Sequence, residues 1–299
     1  MIKIGIIGGS GLYELEGLTG VRWVRVRTPF GEPSDAYCVG RLGDRTVVFL
    51  PRHGRGHRVM PSELNFRANV YGFKKLGVEW LVSISAVGSM REVIHPLNLV
   101  IPDQFVDWTR RRVSTFFGSG IVGHVGMADP VCPDLADRLE RAARLAGATV
   151  HRGGTYLCIE GPQFSSREES RIYRQWGADV IGMTNMPEAK LAREAELCYA
   201  TLALVTDYDV WHETEAAVNV ESVVANLMKN VATAKDVLHR LIREVRPPRH
   251  CPCPSLLKNA IITNPSVFPA RTRKSLALLL DKYFPPTRPS RPKTRTRRG

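Results

Sequence analysis

Apolar residues along this chain fall into short runs closed by glycine, hydroxyl or charged residues, and the runs alternate with stretches of helical spacing. Residues 2–9 form one such run and end in Gly8-Gly9; 46–50, 80–85, 98–103, 155–159, 179–184 and 200–205 are the others. Each is too short for a helix and rich in branched side chains, which predicts buried strands. A helix is predicted after Pro61, with Ser62 as its cap, Leu64, Ala68, Tyr71 and Leu76 as its inward stripe, and Gly77 as its stop. Others are predicted over 134–147, from Ser166 to Trp176, from Pro187 to about Tyr199, and from about 216 to 245. Ser166 and Glu169 have capping-box spacing, and Pro247-Pro248 ends the last helix. Strands and helices alternate without an internal repeat. The fold class this predicts is α/β: a single domain over 1–245, built on a mixed central sheet flanked by helices.

The chemistry gathers where strands end, which is where ligands sit in such sheets. Gly8-Gly9-Ser10-Gly11 follows the first strand, and its missing side chains let backbone N–H groups approach an anion. It is neither Gly-x-Gly-x-x-Gly nor a P-loop. Arg52-His53-Gly54-Arg55-Gly56-His57 follows the second run. That is either a solvated basic loop or a pocket wall with an arginine suited to bidentate phosphate contact. Ala86-Val87-Gly88-Ser89 is a third small-residue turn, and three such turns predict one anion site at a sheet edge. Asp207 and Asp209 close the run 200–205. If the strand persists they point to the same side, where they can accept from an amine or, with a raised pKa, give up a proton. The alternative is an aspartate that caps the next element of the chain. Phe164 is either core or a platform for a flat ring. The long loop 107–133, with Arg110-Arg111-Arg112, Phe116-Phe117 and His124, is of a length that usually covers a site.

Charge narrows the picture. The chain carries +13, but 243–299 hold 14 Lys+Arg against Glu244 and Asp281, which leaves +1 for the first 242 residues. A near-neutral body argues against a nucleic-acid-binding core. No apolar run reaches the ~18 residues of a membrane span and no signal-peptide pattern is present, so a cytoplasmic location is expected. The cysteines are Cys38, Cys132, Cys158, Cys198, Cys251 and Cys253. They match no zinc spacing, because Cys251-Pro252-Cys253 has one intervening residue where metal knuckles use two to four, and no metal is expected. Buried free thiols are expected for the first four.

Several segments recur in a familiar order: Gly8-Gly9-Ser10-Gly11-Leu12, Pro29-Phe30-Gly31-Glu32-Pro33-Ser34-Asp35, Arg52-His53-Gly54, Ser85-Ala86-Val87-Gly88-Ser89, Glu160-Gly161-Pro162-Gln163-Phe164-Ser165-Ser166-Arg167, Gly182-Met183-Thr184 and Thr206-Asp207-Tyr208-Asp209. Together, over roughly the first 245 residues, they closely resemble the methylthioadenosine phosphorylases, within the trimeric purine nucleoside phosphorylase family. The resemblance implies phosphorolysis of 5′-methylthioadenosine, with inorganic phosphate as co-substrate and no metal or organic cofactor. It implies a phosphate site at Ser10, Arg52, His53, Ser85, Ala86 and Thr184, with serine replacing threonine at Ser10 and Ser85. Met183 falls at the ribose and Phe164 and Ser165 at the base. His57, His124, Val220 and Val223 fall around the 5′ substituent. Asp207 is implied as proton donor to N7, with Asp209 at the exocyclic amine; relatives that use 6-oxopurines carry asparagine at the critical position, because an oxo group needs a donor. Asn185 is implied close to the base, which leaves tolerance for other purines open. A homotrimer, or a dimer of trimers, is implied, with residues borrowed between subunits.

Residues 246–284 form an extension with Cys251, Cys253 and a helix at 276–280. Similarity to versions from hyperthermophiles implies a Cys251–Cys253 disulfide and a second between Cys132 and Cys198. The tail 285–299 is basic, proline-rich and expected to be disordered and solvated. Two other readings compete: a broader purine nucleoside phosphorylase accepting adenosine, inosine or guanosine, and a dinucleotide- or nucleic-acid-binding protein.

Overall fold

The computed structural model describes residues 2–9, 12, 15–212 and 220–286. The first half of the chain gives strands β1 Lys3–Gly8, β2 Thr19–Val24, β3 Tyr37–Leu42 and β4 Arg45–Pro51, then helix α1 Phe66–Lys75, β5 Trp80–Ser89, β6 Leu99–Ile101 and β7 Gln104–Trp108. The second half gives α2 Pro133–Leu145, β8 Val150–Arg152, β9 Thr155–Ile159, α3 Arg167–Gln175, β10 Val180–Gly182, α4 Asn185–Glu194, β11 Cys198–Asp207 and α5 Val220–Glu244. Two short helices, α6 Ala270–Ser275 and α7 Ala277–Leu280, lie in the C-terminal extension.

Among the described residues the strands form one mixed sheet of 11. β1 runs parallel to β4 on one side and to β5 on the other. The sheet branches at β5, which runs parallel to β11 along its length while its far end pairs antiparallel with β10. Alternate residues go to opposite faces. Ile4, Ile6, Val82, Leu202 and Leu204 join Leu135 and Leu139 of α2 and Val237, Leu238 and Leu241 of α5. Ile7, Leu81, Ala203 and Val205 join Val70 and Phe73 of α1, Ala189 and Leu191 of α4, and Leu257, Leu279 and Leu280 of the extension. Each fully buried Leu, Ile or Phe contributes about 1.5–3 kcal/mol. The fold is the expected α/β sheet covered on both faces. Among the described residues no helix is long and apolar enough to cross a membrane.

Several boundaries differ from expectation. Ser62 lies in a single 3-10 turn, Pro61–Glu63, and its hydroxyl turns to Glu160. Asn65 caps α1 instead, its Oδ1 accepting from Ala68 N at 3.1 Å. Residues 86–89 stay in β5, because β11 and β10 supply ladder partners that the sequence alone does not reveal. The helix from Pro187 stops at Glu194, and Tyr199 is already in β11. The Ser166–Glu169 capping box opens α3. All six cysteines are free, so the Cys251–Cys253 and Cys132–Cys198 disulfides are not formed. The thiols of those four residues gather in one cluster instead. Of the tail, 287–299 lie outside the described residues.

Candidate active site

At one edge of the sheet β5 loses a neighbour. β1 pairs with it as far as Ser83 and β10 only from Gly88, so Ile84-Ser85-Ala86-Val87 keeps β11 on one side and is open on the other. Ala86 is the exposed residue of an otherwise buried strand. Ser85 Oγ lies 3.0 Å from Tyr156 Oη and 3.2 Å from Thr184 Oγ1. Thr184 precedes α4, and its hydroxyl does not cap that helix. The two hydroxyls are therefore available to an anion, whereas the start of α4 offers little: Met186 N donates to Cys158 Sγ at 3.4 Å and Pro187 has no N–H.

Arg52 does not present a free fork. Nε and Nη2 donate to Glu188 at 3.0 and 3.3 Å, Nη1 to Ile84 O at 2.8 Å, and Nη2 also to Ser83 Oγ at 2.6 Å and Ile7 O at 3.2 Å. Both partners of this ion pair are buried. Burial opposes the charge most strongly, and Glu188 more than offsets it, raising the Arg52 pKa. A single Nη1 hydrogen is left for an anion, which corrects the expected bidentate contact. His53 Nδ1 sits 2.9 Å from Val59 O; a carbonyl only accepts, so Nδ1 carries the hydrogen and Nε2 the lone pair. Burial, and then the Arg52 charge, push its pKa down to about 4. The ring is thus neutral at pH 7, stacked 4.3 Å from His57.

Asp207 ends β11, accepting from Thr206 Oγ1 at 2.6 Å and from Asp209 N at 2.8 Å. Asp209 adopts φ 54°, so the strand does not persist and the pair is a tight turn rather than two successive strand residues. Burial raises both carboxyl pKa values; for Asp209 the Asp207 charge raises it further, while Ser170 and Ser165 hold it back. Asp209 Oδ2 and Ser165 Oγ are buried without a hydrogen bond of normal geometry. Such atoms are costly unless a ligand or water satisfies them. A Cβ at Gly88 would come 2.8 Å from Asp207 Oδ1 and 3.3 Å from Asp209 Cβ, so the carboxylates lie over that glycine. Gly88 is three residues along β5 from Ser85, about 10 Å at the rise of a strand. That is the length scale of a nucleoside.

Residues 3–243 match the family model described as "Phosphorylase superfamily". The chain belongs to the phosphorylase superfamily. It is 58% identical over 282 residues to the S-methyl-5'-thioadenosine phosphorylase of Koribacter versatilis, covering 94% of this chain and 97% of that one. The enzyme of the same name from Hyperthermus butylicus is 51% identical over 263 residues, 87% and 95% of the two chains. Among solved structures, a methylthioadenosine phosphorylase from an antarctic soil metagenomic library superposes with TM-score 0.88 at 53% identity, over 93% of this chain and 99% of that one. Methylthioadenosine phosphorylase from Schistosoma mansoni in complex with adenine gives TM-score 0.77 at 40% identity, over 81% and 91%.

The other expected residues of this superfamily site are distributed unevenly. Phe164 is 46% exposed, which excludes the core reading and leaves a ring free to face a ligand or a neighbour. Met183 is half-buried, and its carbonyl accepts from Arg112 Nη1 at 2.7 Å. His57 is exposed. His124 is also exposed, with its N–H donating to Ala260 O in the extension. Val223 is half-buried near the start of α5, three residues before Asn226, whose Nδ2 donates to Thr206 O at 2.8 Å. Ser10 and the Val220 side chain lie outside the described residues. Asn185 is fully buried, its Nδ2 donating to Thr201 Oγ1 at 2.5 Å, so its side chain points into the core and not toward a base.

Of four residues that hold the site together, Tyr156, Glu188 and Asn230 carry no local signal in the sequence, and Arg112 shows only as part of the arginine run of the long loop. Tyr156 reaches Ser85 because Gly182 has no Cβ to obstruct its hydroxyl. Glu188 neutralises Arg52. Arg112 donates to Met183 O, to Met186 O at 2.6 Å and to Glu160 O at 2.9 Å, which pins the long loop across two site segments. Asn230 Nδ2 donates to Val205 O at 2.8 Å and, with Asn226, locks α5 onto the end of β11.

Proposed function

We propose that the chain is a pentosyltransferase that cleaves 5′-methylthioadenosine with inorganic phosphate, giving adenine and 5-methylthioribose 1-phosphate. The observation that carries this reading is the buried Asp207/Asp209 pair, with raised pKa values, over the same strand that holds Ser85 and Ala86. A phosphate oxygen forms a bond to the anomeric carbon as the bond to N9 breaks. The bond electrons pass to the purine, and Asp207 gives its proton to N7, an effect typically worth 10²–10⁴-fold. Asp209 accepts from the exocyclic amine. Ser10, Ser85, Ala86, Thr184 and the remaining Arg52 N–H hold phosphate, while neutral His53 accepts a P–OH hydrogen at Nε2. Met183 contacts the ribose, Phe164 and Ser165 the base, and His57, His124, Val220 and Val223 the 5′ substituent. The names and similarity of the Koribacter and soil-library enzymes support the substrate.

In this reading phosphate is a co-substrate, no metal or organic cofactor takes part in the chemistry, and the reaction belongs to methionine and purine salvage in the cytoplasm. The active form is a homotrimer, or a dimer of trimers, in which a neighbouring subunit covers exposed Phe164 and His124. The test is phosphate-dependent release of base from methylthioadenosine, adenosine and inosine side by side. Strong preference for methylthioadenosine is expected. Comparable turnover of inosine would mean a broader purine nucleoside phosphorylase, and no release from any of the three would overturn the reading.

A further inference from the structure

Four cysteines from distant parts of the chain meet at the far end of β11 from Asp207. Cys132 immediately precedes α2, Cys198 opens β11, and Cys251 and Cys253 come from the C-terminal extension. Their four Sγ atoms all lie within 4.8 Å of one another, with Cys198 Sγ and Cys251 Sγ 3.4 Å apart. Cys132, Cys198 and Cys253 are buried and Cys251 is half-buried. We propose that these four residues form a tetrathiolate site for one divalent zinc-class cation, which clasps the C-terminal extension to the body of the domain.

The geometry is that of a ligand set. Four thiolates at ~2.3 Å from a tetrahedral Zn²⁺ stand about 3.8 Å apart, and the observed cluster brackets that spacing to within about 1 Å. The set is all sulfur, with no carboxylate or imidazole in the group, which selects a soft or borderline metal over Mg²⁺ or Ca²⁺. Four protein ligands in a largely buried position make a closed site, structural rather than catalytic. Outer groups are placed to stabilise thiolate charge. Arg249 Nη1 lies 3.9 Å from Cys198 Sγ, a fixed positive charge beside the cluster. Cys132 also sits at the positive end of the α2 dipole.

The placement says what the cation does. Cys198 and Asp207 bound β11, nine residue steps or about 30 Å apart along a strand, so the metal is remote from the chemistry. Two ligands belong to the domain body and two to the extension, whose Leu257, Leu279 and Leu280 complete the core on the α1 and α4 face. Binding the cation therefore couples to docking of the extension.

The test uses the full-length protein, made in zinc-replete medium without a histidine tag and gel-filtered under reductant. Elemental analysis is expected to find one zinc per chain, released by titration with p-mercuribenzoate. Replacement by Co²⁺ is expected to give a thiolate-to-cobalt charge-transfer band and intense tetrahedral d–d bands. The double variant C251A/C253A should fall to background zinc, while C38A, a buried thiol outside the cluster, should keep its full complement. Reduced wild type that takes up neither Zn²⁺ nor Co²⁺ would overturn the proposal, whatever the variants do. Non-reducing mass mapping that found the four cysteines paired as disulfides in the isolated protein would overturn it equally.

Discussion

Replacing Asp207 with asparagine preserves the shape of the side chain and removes its ability to release a proton. The local hydrogen bonds can survive the change. An asparagine Oδ1 can still accept from Asp209 N, which now donates at 2.8 Å. Its amide can donate to Thr206 Oγ1, provided that hydroxyl turns its own hydrogen to Val87 O, 3.2 Å away. The stability cost is therefore expected to stay near about 1 kcal/mol, the net worth of a single hydrogen bond. The cost to catalysis is larger. Loss of a positioned general acid removes 10²–10⁴-fold in rate, or roughly 2.7–5.5 kcal/mol of transition-state stabilisation. The assay is kcat and KM for both substrates, followed by release of adenine from methylthioadenosine. KM for phosphate should change little, since the Ser85–Thr184 hydroxyl pair is untouched. Burial raises the Asp207 pKa, so the protonated, active form of the wild type is favoured on the acid side and activity falls as pH rises through that pKa. D207N should lack that limb. A variant with kcat close to wild type and the alkaline limb intact would refute the proton-donor role.

Three further outcomes are expected. Glu188→Ala strands the Arg52 guanidinium in the core without a counter-charge, at a cost of about 3–5 kcal/mol, read as a lowered urea midpoint; an unchanged midpoint would show that the carbonyls of Ile7 and Ile84 suffice. Burial lifts the Glu194 pKa to about 7 against the hydrogen bonds from Phe116 N and Thr115 Oγ1. An acid with a raised native pKa contributes stability below its unfolded value and loses it as pH rises through the native one, here about 3 kcal/mol between pH 4.5 and just above 7. Melting curves across that range should show the loss in wild type and a flatter profile in Glu194→Gln; identical slopes would count against it. Gly182→Ala drives a methyl group into Tyr156 Oη, and should cost about 1–3 kcal/mol in stability and weaken phosphate binding through Ser85. Unaltered phosphate KM in a folded G182A would remove Tyr156 from the site.

What the sequence determined by itself is local or compositional. The Ser166–Glu169 box spans three residues and needs no distant partner, so it is legible and it forms. The apolar run before Thr206 is buried through its whole length, because a central strand covered on both faces must be apolar on both. Asp207 and Asp209 were visible as carboxylates at a strand end for the same reason. Edge elements were not: β2 is exposed along most of its length and carries no apolar alternation to read. Only the tertiary structure decided where the charged and hydroxyl groups point. Arg52 looked like a phosphate clasp until Glu188, 136 residues away, took two of its donors. Asn185 belonged to the base by position and to Thr201 by hydrogen bond. Cys132, Cys198, Cys251 and Cys253 have no motif spacing, since motif spacing records ligands from one hairpin or helix, whereas these converge from α2, β11 and the extension. Polar side chains are satisfied across the fold rather than along the chain. Their roles become readable only when the strands between them have paired.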